Sequence, residues 1–124
     1  MNREIKFRGQ RIDNNEWIYG YYVKDPKGQH RIYLQPFENS SSNTYYFVKP
    51  ETAGQFTGLL DKNGKDVFEG DILRFHFDLG IAYVINDGFR FGVKSPGSKA
   101  IDYESAETIQ QCEIIGNIHE NPEL

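Results

Sequence analysis

The chain has 124 residues and a net charge of −4 at pH 7, with 14 Lys and Arg against 18 Asp and Glu. That length suits one compact domain, or two small interlocked ones, with a real core and no need of disulfides. The acidic balance argues against broad non-specific DNA binding, which needs clustered cations on phosphate.

Other classes fall away on similar grounds. The single Cys112 has no internal partner, which fits a reducing compartment. Beside Ile114 and Ile115 it reads as a buried small side chain, not an activated thiolate. No apolar run approaches the length of a membrane span, and MNREIKFRGQ lacks the apolar centre of a secretory signal. The expectation is a soluble, cytoplasmic protein.

Trp, Tyr and Phe together number 18 and fall in short alternating runs, which favours strands. Charge is uneven: residues 1–48 hold seven cations and five acids, net +2, and residues 49–124 hold seven and thirteen, net −6. From Asp102 to Leu124 there are six acids and no Lys or Arg.

In chain order, residues 3–8 alternate, with Ile5 and Phe7 opposite Glu4, Lys6 and Arg8, as a half-buried strand does. Asp13-Asn14-Asn15 turns the chain. EWIYGYYV follows, with Trp17, Tyr19, Tyr21 and Val23 on one face, expected to be the core face. Asp25-Pro26-Lys27-Gly28 is a turn, and HRIYL resumes the strand pattern, so residues 3–34 read as a three-stranded meander. Residues 35–43 (QPFENSSSN) form a loop, and TYYFV is a short β-rich run. Pro50 suits the first position of a single helical turn over residues 49–53.

Residues 56–60 read as a strand, and Asn63-Gly64 is a hairpin signal. Asp66-Val67-Phe68 is a brief return, and Glu69-Gly70-Asp71 launches a strand over residues 72–77. There Leu73, Phe75 and Phe77 share one face, and Ile72, Arg74 and His76 the other. IAYVI, a turn at Asn86-Asp87-Gly88, and FRFGV follow. The best helical window, residues 102–111, has no clean 3.6-residue stripe and runs into EIIGNI. The sequence therefore predicts an all-β fold without long helices. Its N-terminal meander, residues 1–54, packs with a small barrel or pair of sheets over residues 55–124.

Chemistry is harder to place. In DKNGKDVFEGDI, Asp61 and Asn63 fit the first two ligand positions of a calcium loop. Lys65, Asp66 and Ile72 occupy the third ligand, glycine and glutamate positions, so the stretch reads as a turn. No Ser/Thr or helix follows Gly64-Lys65 to make a phosphate loop. His30, His76, His119 and Cys112 lie too far apart in sequence to suggest a zinc site. His76 and Asp78, alternate residues on one strand face, are a weak candidate polar site. Ser40, Ser41 and Ser42 lack a nucleophile elbow. No cofactor, metal or catalytic constellation is indicated. Tyr19, Tyr21, Tyr22, Arg31, Tyr33, Tyr45 and Tyr46, edged by Arg11, Lys24 and Lys27, offer an alternative reading as a stacking surface for single-stranded nucleic acid. Within this set Tyr22, Arg31, Tyr33 and Tyr46 are the candidate interaction surface.

Three stretches carry a resemblance. They are REIKFRGQRIDNNEWIYGYYV; Thr52 to Leu59 (TAGQFTGL) with Asp61 to Lys65 (DKNGK) and Glu69 to Ile72 (EGDI); and IGNIHENPEL from Ile115. Together they resemble the YopX-like proteins of bacteriophages and prophages over nearly the whole chain. Leu60 and the serines of loop 40–43 depart from the pattern outside these motifs. The resemblance implies a mostly β protein with an SH3-like barrel, and no catalytic residues. The expected role is a non-catalytic association module that forms a homo-oligomer or contacts a host or phage protein. A nucleic-acid module and a small inhibitor of a host enzyme are the rivals.

Overall fold

The computed structural model describes residues 6–34, 44–76 and 80–122. Among them the fold is all-β: ten strands, a 3-10 turn at Pro50–Thr52 and one short helix. The chain divides into two compact units, Met1–Gln55 and Phe56–Leu124.

In the first unit β1 (Phe7–Gln10), β2 (Trp17–Lys24), β3 (His30–Leu34) and β4 (Tyr45–Phe47) pair antiparallel in chain order. The three-stranded meander is thus present, with β4 added. Its first strand runs on to Gln10; Ile5 lies outside the described residues. The start of β5 (Gly54–Leu60) pairs with β1 on the other side. The sheet then closes on itself. Val48 donates its N–H to the His30 carbonyl on one side and bridges Arg11 on the other. The bonds from Ile12 N–H to the Phe47 carbonyl and from Lys49 N–H to the Gln10 carbonyl complete the seam.

Closure leaves a small concave interior, and this reverses the expected face of β2. Ile32 and Val48 are fully buried inside, whereas Tyr19 and Tyr21 are each 48% exposed and Val23 is exposed with them. The expected core face is therefore the outer one. The strands approach closely at the seam: Gly9 sits against Val48, and an added Cβ would lie 3.0 Å from the Val48 Cβ. Gly20, also buried, occupies the middle of the inner face of β2.

In the second unit the rest of β5 forms a hairpin with β6 (Asp66–Phe68). A four-stranded antiparallel sheet has the order β10-β7-β8-β9, from β7 (Asp71–Arg74), β8 (Ile81–Asn86), β9 (Phe91–Lys94) and β10 (Glu113–Asn117). Val67, Leu73, Phe75, Ala82, Val84, Val93, Ile109 and Cys112 make its core. Leu73 and Phe75 face in and Arg74 and His76 out, as the alternation predicts, but Ile72 is buried too and the strand ends at Arg74. The last strand of the FRFGV stretch starts only at Phe91, because Asp87 closes a tight turn over Phe89 and Arg90.

Helix α1 (Ala106–Gln110) lies in the window that lacked a stripe. It buries one residue, Ile109, and is nucleated by Ser105, whose hydroxyl accepts from the Thr108 N–H. Cys112 follows it, fully buried, and burial, with a smaller contribution from Glu104, pushes its thiol up to about 11, out of the reactive range.

Candidate interaction surface

The aspartates of the turns are structural, and their geometry repeats. Asp25 Oδ1 accepts from Lys27 N–H and Gln29 N–H, both at 2.9 Å. Asp61 Oδ1 accepts likewise from Asn63 N–H at 2.8 Å and Lys65 N–H at 2.9 Å. In each turn the fourth residue, Gly28 or Gly64, takes a positive φ, 83° or 80°. Asn63 does not, so the hairpin at Asn63-Gly64 is not the two-residue mirror-image turn its dipeptide suggests. The buried carboxylate of Asp61, not the Asn-Gly pair alone, sets its shape.

The second oxygen of each carboxylate does different work. Asp61 Oδ2 accepts from Ile114 N–H at 3.1 Å, tying the hairpin to β10. Asp25 Oδ2 accepts from Arg31 Nη2 at 3.0 Å. The Gln29 amide, with Arg31 and Lys27, holds the Asp25 carboxyl below its ordinary value against the effect of burial.

Arg31 is thereby fixed in a ring of aromatics. The strand register puts Tyr21, Tyr33 and Tyr45 in one cross-strand row and Val23, Arg31 and Phe47 in the next. Directly opposed residues share a face, so these six side chains, with Tyr19, form one outward surface. The Arg31 guanidinium carbon lies 4.8 Å from the Tyr45 ring centre, 5.9 Å from Phe47 and 6.0 Å from Tyr33. Tyr33 and Tyr45 are 5.1 Å apart, and Tyr45 meets Phe47 edge-on at 5.6 Å. Tyr45 and Phe47 remain exposed, as do Tyr19, Tyr21 and Val23. A contiguous apolar and aromatic patch on an exposed sheet face is the kind that marks a contact surface.

Of the four residues singled out in the sequence, Arg31 and Tyr33 are in this surface. Tyr22 and Tyr46 are opposite Ile32 on the inner face. Tyr22 packs on Phe7 and His30, and Tyr46 lies under the Arg11 guanidinium. Tyr19, Tyr21, Tyr45 and Phe47 complete the outward set. For Tyr19 and Tyr21 the signal was the period of two itself, assigned to the wrong side of the sheet; Tyr45 and Phe47 join through the β3–β4 register. His76 is exposed, and Asp78 lies outside the described residues, as does the 35–43 loop.

The second unit presents a separate aromatic tip. Phe89, at the β8–β9 turn, is 99% exposed. Beside it Tyr103 donates to Asp87 Oδ2 at 2.5 Å, and the Arg90 guanidinium stacks 3.4 Å over the Tyr103 ring. The Tyr103 hydroxyl, then the Phe89 and Arg90 amides, lower the Asp87 carboxyl to about 2. A depressed carboxyl stabilises the fold above its unfolded value of 3.8 and loses that contribution as pH falls toward 2. Carboxyl-carbon NMR titration is expected to give Asp87 a midpoint near 2. In Tyr103→Phe the midpoint rises toward 3.8; an unchanged midpoint would show that the tyrosine does not set it.

Comparison with known proteins fits this architecture. The crystal structure of protein EF1440 from Enterococcus faecalis is similar over 98% of both chains, with a TM-score of 0.66 and 24% sequence identity, a likeness of fold. No curated protein matches the chain. The family described as YopX protein matches residues 6–124, a span that runs through both units. The chain belongs to the YopX family.

Proposed function

We propose that this chain is a non-catalytic association module, encoded by a phage or prophage and working in the bacterial cytoplasm. Its contact surface is the outer face of the first unit, and its first partner is a second copy of itself. We read the second unit as an SH3-like barrel that carries no chemistry of its own. The observation that supports this reading is the aromatic surface around Arg31. Rings on a rigid sheet bury large area at little entropic cost, which favours protein contacts.

Charge separates this reading from nucleic-acid binding. Arg31 is paired with Asp25, and Arg8, nearly buried, lies 4.9 Å over Trp17. A stacking platform for single strands needs cations available to phosphate. The opposite charges of the two chain halves, +2 over residues 1–48 and −6 beyond, would orient subunits more than tighten them.

Sedimentation at low and high salt tests the proposal. Association is expected at both, weakened at least tenfold in the Tyr21→Lys, Phe47→Lys double variant, whose thermal midpoint stays near that of the wild type. A monomer up to about 1 mM, the weak end of measurable affinity, with no protein captured from infected cells, contradicts it. Retardation of single-stranded DNA at ~0.1 mM protein or below would favour the nucleic-acid reading instead. Capture of a single host enzyme, inhibited on binding, would make the partner heterologous.

A further inference from the structure

Asn63 is the only asparagine in the chain followed by glycine. Its side chain is exposed, and among the described residues nothing hydrogen-bonds to its side-chain amide. Gly64 is exposed too, and no atom lies within 4 Å of the place a Cβ would take. We propose that Asn63 is a site of spontaneous deamidation, and that the Asp61 turn sets its rate.

The step needs only water and the chain itself. Base removes the proton from the Gly64 nitrogen, which attacks Asn63 Cγ. The N–Cγ bond forms, the Cγ–Nδ2 bond breaks, and Nδ2 leaves as ammonia with that proton. Water then opens the cyclic imide. Opening at Cγ gives aspartate; opening at the main-chain carbonyl gives isoaspartate. Glycine permits the attack because no side chain bars the approach of its nitrogen, and asparagine is thermolabile for this reason.

In the folded turn that nitrogen is guarded. The Gly64 N–H donates to the Asp61 carbonyl at 3.0 Å, which shields the proton from base. The Asp61 carboxylate keeps the turn shut through the Asn63 and Lys65 amides, at 2.8 and 2.9 Å. Deamidation therefore waits on local opening, as amide exchange does. Its isoaspartate product undoes the turn. The main chain gains a methylene between the Asn63 and Lys65 amides, which share Asp61 Oδ1, so both bonds cannot keep their lengths. Loss of ammonia to solvent makes the change one-way. The pair Asp87-Gly88 is different. Its carboxylate is held ionised by the Tyr103 hydroxyl and the Phe89 and Arg90 amides, and offers the glycine nitrogen no leaving group.

This inference is independent of the association reading, because the turn is in the second unit and the aromatic surface in the first. Mass spectrometry of the whole chain, held at mildly alkaline pH, follows the replacement of NH2 by OH, with fragmentation to place it. Conversion is expected at Asn63 before any other residue, as mixed aspartate and isoaspartate. It should run about tenfold slower than in the same chain unfolded in urea. Asp61→Ala should remove most of that protection and quicken Gly64 amide exchange in step; Asp61→Asn, the milder change, should fall between. The isoaspartate product should exchange faster at the Lys65 and Ile114 amides, whereas Asn63→Asp, which keeps the main-chain length, should not. No conversion at Asn63 in the unfolded chain, equal rates folded and unfolded, or conversion first at Asp87 would overturn the proposal. So would a rate indifferent to Asp61→Asn in a folded chain whose Gly64 exchange has quickened.

Discussion

Asp61→Ala is expected to lower the stability of the chain by about 3 kcal/mol, because it strips a buried acceptor from three backbone N–H groups. The side chain is 4% exposed, so water does not replace it. Two of the three bonds shape the β5–β6 turn, and the third reaches Ile114, 53 residues away. The loss is therefore both local and tertiary. Asp61→Asn should cost about half as much: it keeps an acceptor for Asn63 and Lys65 but turns a donor toward the Ile114 N–H. Burial pushes the Asp61 carboxyl up, yet the amides of Lys65, Ile114 and Asn63 outweigh it and hold it below 3.8. The carboxylate thus contributes above its unfolded value and less as pH falls through the lower folded one. The gap between wild type and Asp61→Ala should narrow in acid. Urea unfolding at pH 7 and pH 3 measures both effects. A change under 0.5 kcal/mol at pH 7, with Ile114 amide exchange unaltered, would mean that the turn holds without its aspartate.

Gly92→Ala should cost about 2 kcal/mol, the range of overpacking in a core that cannot shift freely. The new Cβ would come within 2.5 Å of the Ile101 Cγ2, 3.0 Å of the Asp102 carbonyl and 3.1 Å of Tyr103. The Ile101 side chain can turn aside, but the Asp102 backbone is fixed. Val93 and Asp102 exchange two N–H···O bonds of 2.8 Å, and that bridge pins the segment beside β9. Thermal unfolding should show the lower midpoint, and exchange at the Val93 and Asp102 amides should quicken. An alanine variant as stable as wild type would show that the 101–103 segment yields without cost.

Much of this framework was legible from single residues. Asp66-Val67-Phe68 and the turn at Pro50 lie where the sequence puts them, because proline and the Asp-Gly pairs act locally. Helix α1 was less legible: its cap Ser105 is a local signal, but only Ile109 is buried. The face of β2 could not be read locally at all. Trp17, Tyr19, Tyr21 and Val23 form the more hydrophobic of two alternating sets, and a flat half-buried sheet would turn that set inward. Which side became the interior was decided by closure at Arg11 and Val48, 37 residues apart, and by the close approach of Gly9 to Val48. The outward surface has the same origin. Arg31 and Tyr33 are plain in the sequence, but Tyr45 and Phe47 join them only through the β3–β4 register.

The outward tyrosine surface as the place of contact is tested most directly by a dilution series of amide NMR spectra. On dilution, shifts are expected to move at Tyr21, Val23, Arg31, Tyr33, Tyr45 and Phe47, while the Asp61 turn and the β8–β9 tip stay fixed. Spectra that are invariant at those six residues, or that move instead at Phe89 and Tyr103, would place the contact elsewhere and contradict the account.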